Sequence, residues 1–160
     1  MARTGTSSPR SPAAGTPATG FLLPDVGTED GAAFWAGAAR GELLVQACGA
    51  CGRWRFPPRP MCPTCRSLEV RWDVASGRAT IWSFVVPHPP LLPAYAALAP
   101  YNVIVVALDE DPTIRMVGNL LEHAEGSIDD IDPATIEIGT PVQVVFQAVD
   151  GVTLPQWVRA

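Results

Sequence analysis

The chain of 160 residues contains no lysine, only two histidines and no long apolar run. A helix needs about 20 apolar residues to cross a bilayer, and residues 1–20 lack the apolar segment of a secretion signal. The sequence therefore predicts a cytoplasmic protein without a membrane span. Residues 1–20 are mostly Ser, Thr, Pro, Gly and Ala without apolar periodicity, which predicts a disordered leader.

The scarcity of histidine limits the available catalytic groups. His123 lies beside Glu122 and Glu125, an arrangement that suits either a general base or an acidic surface turn. His88 stands between two prolines and has no evident carboxylate to orient it. Because phosphate-binding loops, dinucleotide-binding glycine motifs and Ser–His–Asp spacings are also absent, the sequence favours a chain without a catalytic site of its own.

Charge is divided unevenly along the chain, and all 11 basic residues are arginines. Residues 1–78 hold nine arginines and six acids, which gives a net charge of +3. Residues 79–160 hold two arginines and ten acids, which gives −8. Nucleic-acid phosphates are bound by positive surfaces, so the acidic second half disfavours a nucleic-acid partner.

The four cysteines form two C-x-x-C pairs, Cys48 with Cys51 and Cys62 with Cys65. Each pair can point two sulfurs inward from one tight loop, and Gly52 permits the backbone turn after the first pair. The pattern predicts one metal site with all four cysteines as ligands. Four thiolates close a tetrahedral shell, so we expect structural zinc rather than a catalytic ion. Two disulfides, which need an oxidising compartment, and a rubredoxin-like iron site are the alternatives.

Short strands are expected from the 17 prolines, the 14 glycines and the runs rich in Val, Ile, Phe and Trp. The predicted strands are residues 43–47, 68–72, 80–86, 102–108, 114–120, 142–149 and 153–158. The last five, with a longer insert between the third and fourth of them, follow the plan of an OB-fold β-barrel, and another small barrel is the alternative. The predicted mainly β chain has a disordered leader over 1–27, an N-terminal helix over 28–42, a zinc ribbon over 43–75 and a C-terminal OB-fold barrel over 76–160.

Two segments offer more apolar surface than a small barrel readily covers. In the predicted helix, which Thr28 is expected to cap, Phe34 and Trp35 lie on one stripe. The second segment is the proline-rich stretch 87–100. These side chains either pack within the chain or contact a partner protein. The candidate partner contacts are Phe34, Trp35, Leu91, Leu92 and Tyr95.

Arginines are concentrated in and beside the predicted ribbon, namely Arg53, Arg55, Arg59, Arg66, Arg71 and Arg78. They can form a solvated surface. They can also contact an acidic partner or the phosphates of coenzyme A, for which the guanidinium fork is well suited. Arg53, Arg55 and Arg59 are the candidates for such contacts.

These features together resemble a family of acyl-CoA-associated proteins, long known as a domain of unknown function. Its members have an N-terminal helical segment, a rubredoxin-like zinc ribbon and a C-terminal OB-fold. The resemblance covers about residues 30–160 and departs at 87–98, which is unusually rich in proline. It rests on Phe34-Trp35, Gly41-Glu42-Leu43, both cysteine pairs, Phe56-Pro57-Pro58-Arg59, Trp72, Ser76-Gly77, Pro100-Tyr101, Gly118 and Ile138-Gly139.

Members of this family are typically small partners of thiolase-superfamily enzymes, and the thiolase-like chain carries the catalytic residues. Some are similar to subunits of retro-aldolases that shorten sterol or other acyl-CoA side chains; others resemble a protein that bridges a thiolase and a hydroxymethylglutaryl-CoA synthase. The resemblance implies a non-catalytic accessory or scaffolding subunit in a hetero-oligomer, with structural Zn²⁺ in this chain and a coenzyme A thioester as the substrate of the complex. The rival interpretation is a single-stranded nucleic-acid-binding protein, because OB-folds and zinc ribbons are common there.

Overall fold

Two antiparallel sheets make up most of the structure, a computed structural model that describes residues 20–160. The predicted leader up to residue 19 lies outside the described residues. Residues 20–27 have no regular secondary structure, and the ring centroid of Phe21 lies 5.0 Å from that of Tyr95. No helix in the described part of the chain is long and apolar enough to cross a membrane.

The N-terminal helix, α1, covers Ala32–Ala38 and is shorter than the predicted 28–42. Gly31 occupies the capping position and no side chain caps the helix, so the predicted role of Thr28 is wrong. The backbone carbonyl of Thr28 instead accepts hydrogen bonds from the amides of Gly31 and Ala32. The helix packs on the first strand, which joins it to the ribbon.

The first sheet consists of β1 (Leu43–Cys48), β2 (Trp54–Arg55) and β3 (Val70–Ala75) in the order β2-β1-β3. Strands β1 and β3 pair along their whole length, from Leu43 opposite Ala75 to Cys48 opposite Val70. Because β1 is central and α1 covers it, all six of its residues are buried. The loops that carry the cysteines follow β1 and precede β3, so the sheet fixes both loops.

The second sheet contains all five strands predicted for the barrel. These strands are β4 (Arg78–Val85), β5 (Val103–Leu108), β6 (Arg115–Gly118), β7 (Pro141–Val149) and β8 (Val152–Arg159). Their order is β6-β5-β4-β7-β8, and a parallel bridge between Leu120 and Trp157 joins the two edges. The sheet therefore curls into a closed barrel with a long insert between its third and fourth strands, which confirms the predicted OB-fold.

Barrel closure depends on a close approach between β6 and β8. A Cβ atom at Gly118 would lie 2.9 Å from the ring of Trp157, so a larger residue there would push β8 away. Trp157 is fully buried. Asn102, also fully buried, donates from its side chain to the carbonyl of Leu120 and accepts from the amide of Leu120. These contacts satisfy the backbone N–H and C=O groups of Leu120, where a single bridge joins the two edges of the sheet.

One apolar core continues from the ribbon into the barrel. Phe34, Leu43 and Val45 belong to the same cluster of buried side chains as the interior of the barrel. The barrel members include Ile81, Ile104, Val106, Leu108, Met116, Leu120, Val142 and Trp157. The proline-rich segment lies outside this core and contains one short helix, α2, at Pro93–Ala96.

Candidate metal centre and surrounding surfaces

Two loops of the same backbone shape carry the four cysteines. The amide of Gly52 donates to the carbonyl of Cys48, and the amide of Arg66 donates to the carbonyl of Cys62, both at 2.9 Å. The residue after each pair adopts the left-handed conformation, with φ of +74° at Gly52 and +63° at Arg66. The turn predicted at Gly52 is confirmed, and the second loop makes the same turn with an arginine.

The four sulfur atoms converge on one point. The Sγ atoms of Cys48 and Cys65 are 3.5 Å apart, those of Cys51 and Cys62 are 3.8 Å apart, and all four lie within 4.8 Å of one another. Zn–S bonds of about 2.3 Å in a tetrahedron separate the sulfurs by about 3.8 Å. The distances therefore fit a four-coordinate ion, and the four cysteines are free rather than paired in disulfides.

The surroundings of the sulfurs favour thiolate in part of the cluster. The pKa of Cys62 is lowered to about 6, first because the backbone amide of Cys65 donates to its sulfur. The amide of Cys51 likewise lowers the pKa of Cys48. At Cys65 the amide of Ser67 favours the thiolate, but the neighbouring cysteines outweigh it and raise the pKa to about 12. Four adjacent thiols cannot all ionise together unless a cation compensates their charge.

A polar cluster supports the ribbon on the strands next to the metal loops. The indole Nε1 of Trp54 donates to Asp73 Oδ2 at 2.7 Å, and the Arg71 side chain donates to both oxygens of Asp73. The hydrogen bond from Arg71, and then that from Trp54, lowers the pKa of the Asp73 carboxyl. The ionised carboxylate therefore stabilises the fold at every pH above its ordinary pKa, and that contribution is lost as the pH falls through the lowered value.

We predict that Asp73→Ala lowers the free energy of unfolding by about 1 kcal/mol, because the Trp54 N–H loses its acceptor. Urea denaturation of the zinc-loaded protein at neutral pH measures the effect. Asp73→Asn is the control, since its carbonyl can still accept from Trp54 and its loss should be smaller. Equal stability of Asp73→Ala and the unchanged chain would contradict the role of this cluster.

Comparison with known domains divides the chain within β3, the last strand of the first sheet. Residues 35–71 match the rubredoxin-like zinc ribbon domain of ChsH2, and residues 72–147 match its C-terminal OB-fold domain. The chain belongs to the ChsH2 family. Membership confirms the predicted combination of a zinc ribbon with an OB-fold, and it agrees with the sulfur geometry.

Relatives of this ChsH2-family chain include subunits and scaffolds. A 3-oxo-4,17-pregnadiene-20-carboxyl-CoA hydratase alpha subunit from Mycobacterium tuberculosis is 35% identical over 130 residues, which are 81% of this chain and 36% of the subunit. A DUF35 domain-containing scaffold protein from Methanothermobacter thermautotrophicus is 33% identical over 111 residues, 69% of this chain and 75% of that protein. The chain spans about a third of the length of the curated hydratase subunits that it matches.

A solved structure shares this fold over most of the chain. The structure described as the Ltp2-ChsH2(DUF35) aldolase aligns with a TM-score of 0.72 and 34% sequence identity. The alignment covers 85% of this chain and 98% of that one. The resemblance to a domain-of-unknown-function family is thus confirmed at the level of family and fold.

The structure separates the two predicted anchors on α1. Phe34 is 6% exposed and packs between Trp35 and Phe56, with ring centroids 4.9 and 5.4 Å away. Phe34 is therefore a core residue, and the partner contact predicted for it does not fit its burial. Trp35 is half-buried and lines an apolar groove of about 400 Å³ together with Phe56, Val117 and Leu154. Its predicted contact with a partner stays a prediction.

The candidate contacts of the proline-rich segment lie on α2 and just before it. Leu92 is 51% exposed, whereas Leu91 and Tyr95 are half-buried. The Tyr95 ring packs between Phe21 and Tyr101, with centroids 5.0 and 5.9 Å away. Of the three, Leu92 is the most available to a partner, and this role also stays a prediction.

The three candidate arginines have different surroundings. Arg53 and Arg59 are exposed, but Arg55 is only 7% exposed. The Nε of Arg55 donates to the side-chain oxygen of Gln46, which also accepts from the backbone amide of Arg59. Arg55 thus lies inside the ribbon, and a direct contact with coenzyme A or a partner does not fit this position. Gln46, a buried residue of β1, holds this loop through these two hydrogen bonds, and no sequence pattern predicts this role.

Neither histidine lies in a site with catalytic geometry. His88 is exposed on the proline-rich segment. His123 is 64% exposed, and its Nδ1 lies 3.7 Å from a carboxylate oxygen of Glu125, which is 88% exposed. An ion pair between two such exposed groups is weak and gives the ring no fixed orientation.

Proposed function

We propose that this chain is a non-catalytic accessory subunit that assembles with a thiolase-like acyl-CoA enzyme. The observation that carries the proposal is the fold-wide similarity to the chain of the Ltp2-ChsH2(DUF35) aldolase. The relatives named as a hydratase alpha subunit and as a scaffold protein support the same role. Within this proposal, the reaction of the complex is the retro-aldol shortening of a sterol or other acyl-CoA side chain. The name of the solved aldolase supports the reaction class, and the steroid-CoA hydratase subunit supports the substrate class.

The chemistry of the described residues supports an accessory role. Hydrolysis, cleavage or condensation of a thioester needs a nucleophile next to a base, or an acid with an adjusted pKa. All four cysteines are drawn into one cluster, and both histidines lie on the surface without an orienting partner of fixed geometry. We therefore assign acyl-CoA chemistry to the partner, and to this chain the positioning of that partner.

The metal in this proposal is one structural zinc ion bound by Cys48, Cys51, Cys62 and Cys65. When bound, it supplies a tetrahedral cross-link with no open coordination position. The two loops that it joins contain little regular structure, so the ion stands in for the apolar core that they lack. A reduced cluster of thiolates is stable in a reducing compartment, which supports a cytoplasmic location.

The coenzyme A thioester is proposed as the substrate of the complex. Arg53 and Arg59 are the exposed arginines of the ribbon that remain candidates for its phosphates or for acidic groups of the partner. Arg53→Ala and Arg59→Ala test this role. Each should raise the KM of the complex for an acyl-CoA substrate while the zinc content stays the same.

Assembly is tested by expressing this chain together with the acyl-CoA enzyme encoded beside its gene. We expect both chains to co-purify and to elute together in size-exclusion chromatography. A double variant, His88→Ala with His123→Ala, should assemble and retain most of the turnover of the complex, because neither ring has catalytic geometry. A fall in turnover of several orders of magnitude with assembly intact would show that one of these histidines is catalytic.

A further inference from the structure

One face of the barrel carries exposed apolar side chains around a single arginine. The outward-facing side chains of β4, β5 and β6 include Val85, 59% exposed, and Val117, 66% exposed. The partly exposed Val103 and Val105 lie between them, because Val103 pairs with Val85, and Val105 pairs with Val117. We call this set, together with Trp82 and Arg115, the outer barrel face.

A β-bulge places Trp82 on this face. The register between β4 and β5 shifts between Ile81 and Ser83, so Trp82 has no partner on β5. Such an extra residue changes the direction in which its side chain points, and the Trp82 indole is here 49% exposed. The guanidinium carbon of Arg115 lies 3.6 Å from the centre of the Trp82 ring. The stacking fixes the arginine flat against the face and leaves the N–H groups at its edge free to point outward.

The side chain of Arg115 has no ion-pair or hydrogen-bond partner among residues 20–160. All ten acids after residue 78 lie outside the strands, in the turns and in the insert of the barrel. Apart from the partly exposed Ser83, which pairs with Val105, the outer barrel face is therefore apolar with one uncompensated cation, on a barrel whose loops are acidic. Trp and Arg are the residues most often found at the energetic centre of a protein interface.

The face continues into a second apolar surface. Val117 also lines the groove of about 400 Å³ that contains Trp35, Phe56 and Leu154. A partner that covers the outer barrel face would therefore also contact Trp35, because Val117 belongs to both surfaces. This continuity links the exposed sheet to the α1 residue predicted as an anchor.

We propose that the outer barrel face binds the acyl-CoA enzyme subunit through an apolar patch of that subunit that presents a carboxylate to Arg115. The inference rests on the proposed function and names the surface that it uses. A guanidinium held by stacking is well placed for a bidentate carboxylate contact. Val85, Val103, Val105 and Val117 exclude water around that contact.

Two other occupants fit the face less well. In a two-fold contact between two copies, the same patch meets itself, and the face offers no carboxylate for the partner's Arg115 to bind. Single-stranded nucleic acid needs several cationic contacts and free aromatic faces. Here one arginine is unpaired, it covers one side of Trp82, and the surrounding turns are acidic.

The test measures the affinity of this chain for the acyl-CoA enzyme subunit by biolayer interferometry. Val117→Asp and Arg115→Glu should each weaken binding about thirtyfold or more, as expected for central residues of an interface. Val74→Asp is the matched control, because Val74 is 64% exposed but lies on the ribbon strand β3, and it should bind like the unchanged chain. Zinc content and thermal unfolding confirm that each variant is folded.

The outcomes separate this inference from the proposed function. Unchanged affinity in folded Val117→Asp and Arg115→Glu, with binding by the unchanged chain intact, would overturn the inference alone. Absence of binding by the unchanged chain would overturn the proposed function together with it. A dimer of this chain that Val117→Asp dissociates, or binding of a single-stranded oligonucleotide that Arg115→Glu abolishes, would assign the face to the other occupants and overturn the inference.

Discussion

Replacement of Cys62 by serine is expected to abolish zinc binding and to unfold the ribbon. Cys62 is 1% exposed, and its sulfur lies 3.8 Å from that of Cys51 in the four-sulfur cluster. Structural zinc in zinc-finger peptides has an apparent binding free energy of about 10–16 kcal/mol, which is also folding free energy, and we expect the same order here. A serine oxygen is a poor substitute for a thiolate, so most of this contribution should be lost.

Elemental analysis should give about one zinc per chain for the unchanged protein, as a four-thiolate site requires, and far less for Cys62→Ser. Thermal unfolding followed by tryptophan fluorescence, to which Trp54 and Trp72 of the ribbon contribute, should show an early transition or none for the ribbon. Thr64→Ser is the control, since Thr64 lies in the same loop but is not a ligand. Iron in place of zinc would support the rubredoxin-like alternative, and a metal-free variant with unchanged unfolding would contradict a structural role of the metal.

The second large effect is expected at the closure of the barrel. Trp157 is fully buried, and Trp157→Ala should lower the free energy of unfolding by about 3–5 kcal/mol through the lost burial and the cavity left behind. Urea denaturation of the zinc-loaded protein provides the measurement. Trp157→Phe keeps a smaller aromatic ring, and the indole N–H that it removes has no hydrogen-bond partner, so its loss should be smaller.

Trp82→Ala provides a surface comparison for the same experiment. Trp82 is 49% exposed and contacts Arg115 from outside the barrel, so its loss should cost about 1 kcal/mol or less. If Trp157→Ala and Trp82→Ala destabilised the chain equally, Trp157 would not be the central residue of the barrel core.

The parts of the fold that depend on local pattern could be predicted from the sequence. Two C-x-x-C pairs can bring four sulfurs together in few ways, and runs of β-branched and aromatic residues separated by turn residues locate the barrel strands. The parts of the fold that depend on contacts between distant residues could not be predicted. The bulge that turns Trp82 outward arises from the pairing of β4 with β5, and no local sequence pattern predicts it. Thr28 carries a capping side chain, yet α1 begins later, at Ala32.

The candidate surface residues show the same limit. Phe34 and Trp35 are adjacent and equally apolar in the sequence, but only packing against Phe56 decides that Phe34 is buried. In the sequence Arg55 resembles the other ribbon arginines. In the structure its side chain points inward, because its Nε donates to the buried Gln46 opposite it on β1. No local sequence pattern marks Arg115, because its significance comes from the valines of neighbouring strands and from the absence of acids among them.

The most direct test of the accessory role compares acyl-CoA turnover by three samples: this chain alone, the thiolase-like subunit alone, and the two together. We expect no turnover by this chain, and full activity only when the thiolase-like subunit is assembled with it. We also expect the activity of the complex to depend on a catalytic residue of the thiolase-like subunit. Turnover of an acyl-CoA thioester by this purified chain alone would contradict the proposed accessory role.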